Sequence, residues 1–148
     1  MKTDSIFYRL FQTFPRIFFD LIGQPNIDIS TYQFASVELK QTAFRIDGVF
    51  VPITEASDQP VYFVEVQFQL DTTFYRRFFA EICLYLRQNT AVNHWRGVIL
   101  YPTRSVETTD TIPYQVELAS QQVQRIYLDE LPDAPDNPLG LRIVQLIV

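Results

Sequence analysis

Cysteine is almost missing from this chain of 148 residues: Cys83 stands alone, so no intrachain disulfide framework can exist and a reducing compartment is expected. Histidine is equally scarce. His94 is the one imidazole, which leaves no second soft ligand for a zinc site and thin grounds for a serine or cysteine hydrolase, whose nucleophile needs a partnered base. Only four glycines occur, against 47% hydrophobic and 15% aromatic residues, and that balance excludes the disordered and fibrous classes. No apolar run reaches the roughly 18 residues that a membrane span needs. The opening MKTDSIFYRLFQTF carries charges through its first ten residues, where a signal peptide would hold an unbroken apolar stretch. A soluble, cytoplasmic protein without a membrane partner is the expectation. Positive charge is in deficit as well. A net charge of −5 and a pI near 4.7 exclude broad electrostatic attraction to nucleic acid, so any such contact must be local or metal-assisted.

What is present is a sequence of clear periodicities. The length suits one domain, which at this size buries roughly two thirds of its unfolded surface. From Asp4 to Leu21, Ile6, Phe7, Leu10, Phe11, Phe14, Ile17, Phe18 and Leu21 recur at helical spacing. Thr3 or Asp4 would cap this helix, and Pro15 predicts a kink or two shorter helices. A GQPN turn follows at 23–26. Three strand-like segments come next, at 34–40, 43–53 and 61–69, and their short connections suggest an antiparallel meander. DTTFYRRFFAEICLYLRQNT then reads as a long helix capped by Asp71, with Phe74, Phe78, Ile82 and Tyr85 or Leu86 on one side. Short apolar runs at 96–102 and 123–131 read as further strands. We expect one domain over 1–131, with 132–148 a linker and the start of an apolar segment that continues in the native protein.

One strand stands out. In PVYFVEVQFQLD, residues 60–71, side chains alternate between faces. Tyr62, Val64, Val66 and Phe68 share an apolar face, while Val61, Phe63, Glu65, Gln67 and Gln69 share one that turns from apolar to polar. A fully buried strand would be apolar on both faces, and a half-buried one polar along the whole of its second face. This mixture suits the wall of a site. Hydrolysis of a phosphodiester needs an attacking water and a cation to neutralise charge on the phosphoryl oxygens. Two carboxylates converging from neighbouring strands can hold a hard ion such as Mg²⁺, and Asp47 and Glu65 are the candidate pair. Gln67 would orient the attacking water without supplying charge. Arg76 or Arg77 would meet a phosphate.

Asp47 in RIDGVF, FVEVQF with Glu65 and Gln67 on the next strand, a helix opening TTFYRRFFAE, and VILYP together resemble the recombination-promoting nuclease and transposase-related branch of the PD-(D/E)XK superfamily. The opening TDSIFYRLF resembles that branch too, and the likeness spans about residues 3–130. It implies an α+β fold: a restriction-endonuclease-like αβββαβ core with a mixed central sheet between helices. It implies a Mg²⁺- or Mn²⁺-dependent DNA endonuclease in which Asp47, Glu65, Gln67 and Asp4 are catalytic. Asp47, Glu65 and the Val66 carbonyl would hold metal, and Arg76, Arg77 and Gln69 would face substrate. Gln67 stands where most of the superfamily carries lysine, which is characteristic of the branch but leaves that lysine's usual role unfilled.

Other readings of the same residues stand beside these. Asp47-Gly48 is a strong signal for a type I′ hairpin turn. Glu65 would also suit an exposed edge, Gln67 and Gln69 a solvent face, Asp4 a helix cap, and Arg77 with Glu81 a surface ion pair. His94 would pack or cap at a helix end, and Cys83 would lie in the core. Two further functional classes follow, a catalytically silent nuclease-fold regulator and an unrelated α+β module. The abundance of aromatics and the apolar tail suggest a homodimer.

Overall fold

Pro15 divides the first helical segment because its ring clashes with the preceding turn and it lacks an N–H to donate. In a computed structural model of the chain, which describes residues 3–40, 42, 44–54, 58–132 and 138–147, α1 is Thr3–Thr13 and α2 is Pro15–Leu21, with the proline in the first turn of α2 where its missing N–H costs nothing. A three-stranded meander follows, β1 (Tyr32–Glu38), β2 (Arg45–Pro52) and β3 (Val61–Val66). Beyond it come α3 (Phe74–Gln88), β4 (Trp95–Tyr101), the short α4 (Gln115–Ala119), β5 (Val123–Tyr127) and α5 (Leu139–Ile147).

The five strands lie in sequence order in one sheet. β1, β2 and β3 pair antiparallel, whereas β3, β4 and β5 pair parallel, because α3 and then α4 carry the chain back across the sheet before each parallel strand. The fold is α+β, a mixed sheet between two helical layers. On one face Phe7, Phe11, Phe18, Phe19, Leu141 and Val144 from α1, α2 and α5 pack on Phe50, Tyr62, Val64, Val66, Val98 and Leu100. On the other, Phe74, Phe78 and Ile82 of α3 and Leu118 of α4 cover Val49, Val61, Phe63, Ile99 and Val123. The expected alternation is met over residues 61–66: Tyr62, Val64 and Val66 face the first layer, Val61 and Phe63 the second.

Several boundaries differ from the expected ones, each for a local reason. β3 stops at Val66, since the Gln67 N–H makes a last bond to the Leu100 carbonyl and Pro102, just past the end of β4, has no N–H to extend the ladder. Helix α3 begins at Phe74, and Asp71 acts two residues ahead of the N-cap Thr73, accepting the Thr73 N–H and hydroxyl, both at 2.9 Å. β5 gives way at Leu128 to a single 3₁₀ turn. Helix α4 has five residues, too few to show a period in sequence. Cys83 is exposed rather than in the core; it falls on the solvent stripe of α3 with Arg76 and Arg87. His94 is not at a helix end. It lies exposed just before β4, and its carbonyl receives the Val61 N–H at 2.9 Å.

Asp47-Gly48 lies inside β2 and makes no hairpin turn. Gly48 is opposite Val64, and a Cβ there would come within 2.9 Å of Tyr8 Cε1 and 3.2 Å of the Val64 carbonyl oxygen. Glycine is needed so that α1 can lie close to the strand.

A second close approach joins the apolar tail to the body. A Cβ on Gly140 would sit 3.0 Å from Ile17 Cα and 3.0 Å from an Asp20 carboxylate oxygen, so α5 rests directly on the backbone of α2. Gly140→Ala is therefore expected to lift α5 and to cost about 1–3 kcal/mol, the usual penalty of overpacking. Thermal unfolding and limited proteolysis of the tail would show it; an unchanged melting temperature with an equally protected tail would mean that the contact is slack.

Candidate functional site

β2 and β3 are paired as far as Gly48 opposite Val64. One further step of the same register sets Asp47 opposite Glu65, with both side chains on the α3 face, since successive residues alternate. Here the backbone also changes partner. Val61 and Gln67 donate to β4, to the carbonyls of His94 and Leu100, so the N–H and C=O of Val66 point the other way, toward β2. The Val66 N–H is taken by the Tyr8 hydroxyl of α1 at 3.0 Å. Its carbonyl is thereby directed to the side of the strand where Asp47 lies.

Glu65 is 8% exposed. A carboxylate so buried needs a cation or a proton, and α3 supplies the cation: Arg77 Nη1 donates to Glu65 Oε1 at 3.1 Å. The same guanidinium reaches Glu81 at 3.5 Å and Asp71 at 3.7 Å and lies over the Phe74 ring, 5.3 Å from its centre. Burial pushes the Glu65 carboxyl up to about 7; Arg77 opposes this through charge and hydrogen bonding, and Glu81 and Asp47 add to it. Glu81, 4% exposed, is also raised, by burial first, with Arg77 opposing and Asp47 adding. Asp47 is half exposed and meets Arg45 at 3.4 Å. The cluster thus sets four carboxylates against two guanidiniums at the end of β3.

The remaining expected residues fall at varied distances from this centre. Gln67 lies one residue past the strand end, and its side-chain amide donates to the Gln69 carbonyl. Gln69 is exposed in the connection to α3, so the pleat that would have aligned both glutamines with Glu65 stops short of them. Arg76 turns outward and pairs with Asp110 through two bonds of 2.8 and 3.2 Å; Arg77 alone of the two joins the cluster. The side chain of Asp4 lies outside the described residues.

Two features escaped the sequence reading. The spacing of Glu81 from Arg77 suits a surface ion pair, yet Glu81 sits on the apolar stripe of α3 with Phe74, Phe78, Ile82 and Tyr85, and a carboxylate on such a stripe is itself a signal of buried chemistry. The second is Glu107, between the ends of β4 and β5. It accepts from the Tyr75 and Tyr127 hydroxyls and from Arg125 at 3.0 Å. Burial works to raise its carboxyl, but the bonds from Tyr127, Tyr75 and Arg125 outweigh that and hold it below the usual range. Tyr101 donates onward to the Tyr75 hydroxyl at 2.9 Å. No sequence spacing links these residues. Together they fix the start of α3, and so Arg77, against the sheet.

Among the described residues, no three His, Cys, Asp or Glu side chains are disposed as a ready metal site. Asp47, Glu65 and the Val66 carbonyl are nevertheless hard oxygen donors of the type that Mg²⁺ or Mn²⁺ takes, and negative charge exceeds positive around them. The donor set fits such an ion, with Arg77 occupying one Glu65 oxygen.

The raised Glu65 carboxyl makes stability depend on pH. Between the ordinary glutamate value of 4.5 and about 7, the folded state keeps a proton that the unfolded chain has lost, so this group's contribution is complete at low pH and is lost as pH rises through 7. Glu65→Gln should therefore gain on the wild type by on the order of 3 kcal/mol between about pH 4 and pH 8. The difference between the two unfolding free energies at each pH measures it; a difference independent of pH would show that folding leaves the Glu65 carboxyl at its ordinary value.

Among the described residues no helix is long and apolar enough to cross a membrane. No curated protein and no solved structure matches the chain. A family profile, described as "Protein of unknown function (DUF2887)", matches residues 3–148. Covering nearly every residue, from the helix that carries Tyr8 to the tail that docks on α2, that match shows that the chain belongs to the DUF2887 family.

Proposed function

We propose that this protein is a Mg²⁺- or Mn²⁺-dependent DNA endonuclease of the restriction-endonuclease-like type, akin to the recombination-promoting nucleases and transposases that its sequence resembles. The observation that carries this reading is the facing of Asp47 and the buried Glu65 across two neighbouring strands, beside an inward guanidinium. The αβββαβ order with a mixed sheet supports it. A cytoplasmic location suits such an enzyme.

Asp47, Glu65 and the Val66 carbonyl would hold the ion, which when bound supplies positive charge to the phosphoryl oxygens and acidifies a bound water. Gln67 cannot titrate, so its part is to orient that water through its amide. The Tyr8 hydroxyl, by holding the Val66 N–H, fixes the direction of the neighbouring carbonyl. Arg77, the cation of the cluster, is the group able to meet a phosphate as its planar fork changes partner. Asp4 completes the acidic set that the resemblance implies. Arg76 and Gln69, both exposed, would contact the DNA backbone. With a net charge of −5, affinity for DNA would come from these local contacts and the metal. A homodimer would let two such sites reach both strands, and light scattering at micromolar concentration should give twice the monomer mass.

A second reading keeps the fold without turnover. The engagement of Glu65 by Arg77 and of the Gln67 amide by the Gln69 carbonyl favours it, because both groups are turned to partners within the protein. Supercoiled plasmid incubated with Mg²⁺ or Mn²⁺ separates the two. The endonuclease nicks it, and Asp47→Ala and Glu65→Ala each lower the rate at least about 100-fold, as expected for loss of a metal ligand. A folded protein that nicks with neither metal is the silent relative.

A further inference from the structure

Arg77 is shared unequally among carboxylates from three parts of the chain: Glu65 on β3 at 3.1 Å, Glu81 on α3 at 3.5 Å and Asp71 in the intervening turn at 3.7 Å. One nitrogen, Nη1, serves both Glu65 and Glu81, while Nη2 faces Asp71. A guanidinium offers five donors in a plane, so a small rotation at its end transfers Nη1 from one glutamate to the other. The side chain has room for this, being 34% exposed where those of Glu65 and Glu81 are 10% and 5%. The Phe74 ring beneath it offers an electron-rich surface on which the cation can slide without leaving. Glu81 cannot be left without a cation, because an unpaired buried carboxylate is expensive.

We propose that Arg77 is a two-position counter-ion that competes with the divalent cation for Glu65 and, when the cation binds, is kept in the site by Glu81 and Asp71. The inference rests on the metal-dependent reading above. It makes Glu81 a positioning residue, acting on the metal through Arg77 rather than as a ligand. It also accounts for the excess of carboxylates over guanidiniums: Arg77 meets Glu65, Glu81 and Asp71, Arg45 meets Asp47, and the negative charge left over is enough for a divalent ion.

Binding of Mn²⁺ alone to the intact protein tests this, by calorimetric titration and by the rise in melting temperature that the ion produces. Arg77→Gln should lower the metal-free melting temperature, yet bind Mn²⁺ about 5–10-fold more tightly than the wild type and show a larger metal-induced rise, within the usual range of coupling between sites. Glu81→Gln should weaken Mn²⁺ binding about 3–10-fold, because Arg77 then commits to Glu65. The double variant should bind as Arg77→Gln does, since Glu81 acts only through the arginine. Equal or weaker binding by Arg77→Gln overturns the proposal. So does a double variant that falls below Arg77→Gln by as much as Glu81→Gln falls below the wild type, which would make Glu81 a ligand. If Arg77→Gln does not fold, Arg77→Lys decides, because its single ammonium spans fewer carboxylates: tighter Mn²⁺ binding supports the proposal and unchanged or weaker binding overturns it. Absence of any Mn²⁺ response in the wild type and all variants would strike the metal reading itself, and the proposal with it.

Discussion

The guanidinium of Arg77 is the interaction on which the site depends. Two glutamates, Glu65 from the sheet and Glu81 from the helix above it, are removed from water in the same place, and nothing in the apolar layer around them compensates their charge. Arg77 is the charge that works against their protonation, and without it burial would push both carboxyls further up or lift the helix from the sheet. With Arg77 in place, the ion pair also sets the rotation of α3, because Phe74, Phe78, Ile82 and Glu81 all lie on its inward stripe. The cluster couples the packing of one helical layer to the chemistry at the end of one strand.

That strand is where the sheet changes character. β3 has an antiparallel neighbour on one side and a parallel one on the other, so its backbone groups alternate between two different ladders. The β2 ladder stops before the strand does, and Val66 is left with an N–H that no strand accepts. Tyr8 accepts it instead, and α1 can bring Tyr8 there because Gly48 presents no Cβ. The break in pairing therefore leaves a carbonyl and two carboxylates at one end of the sheet, with a helix on each face to hold them. The Glu107 network steadies the opposite flank, tying Tyr75 of α3 to the ends of β4 and β5 through satisfied, charge-assisted bonds.

Much of this was legible in the chain. The helix broken at Pro15, the three-strand meander, the inward stripe of α3 and the two faces of β3 all follow from the period of the apolar residues, because burial of one face is the strongest local constraint on a helix or strand. The pairing of Asp47 with Glu65 was legible as well, since it needs only two adjacent antiparallel strands. The ends of elements were not. Whether β3 continues through Gln69 is decided by Pro102 just past the end of another strand, and whether Asp47-Gly48 turns or runs straight is decided by Tyr8 on a helix.

The sequence by itself therefore determined the order of elements from α1 to β5 apart from the short α4, the faces they bury and the placing of Asp47 and Glu65 on neighbouring strands, because these depend on spacing along one segment. The tertiary structure decided the rest: that Arg77 turns inward while Arg76 turns out to Asp110, that Glu81 is buried with Glu65, and that Glu107 collects two tyrosines and an arginine. Each of those outcomes turns on the charge of a residue far away in the chain, brought near by packing. A period of two or 3.6 carries no record of such a neighbour.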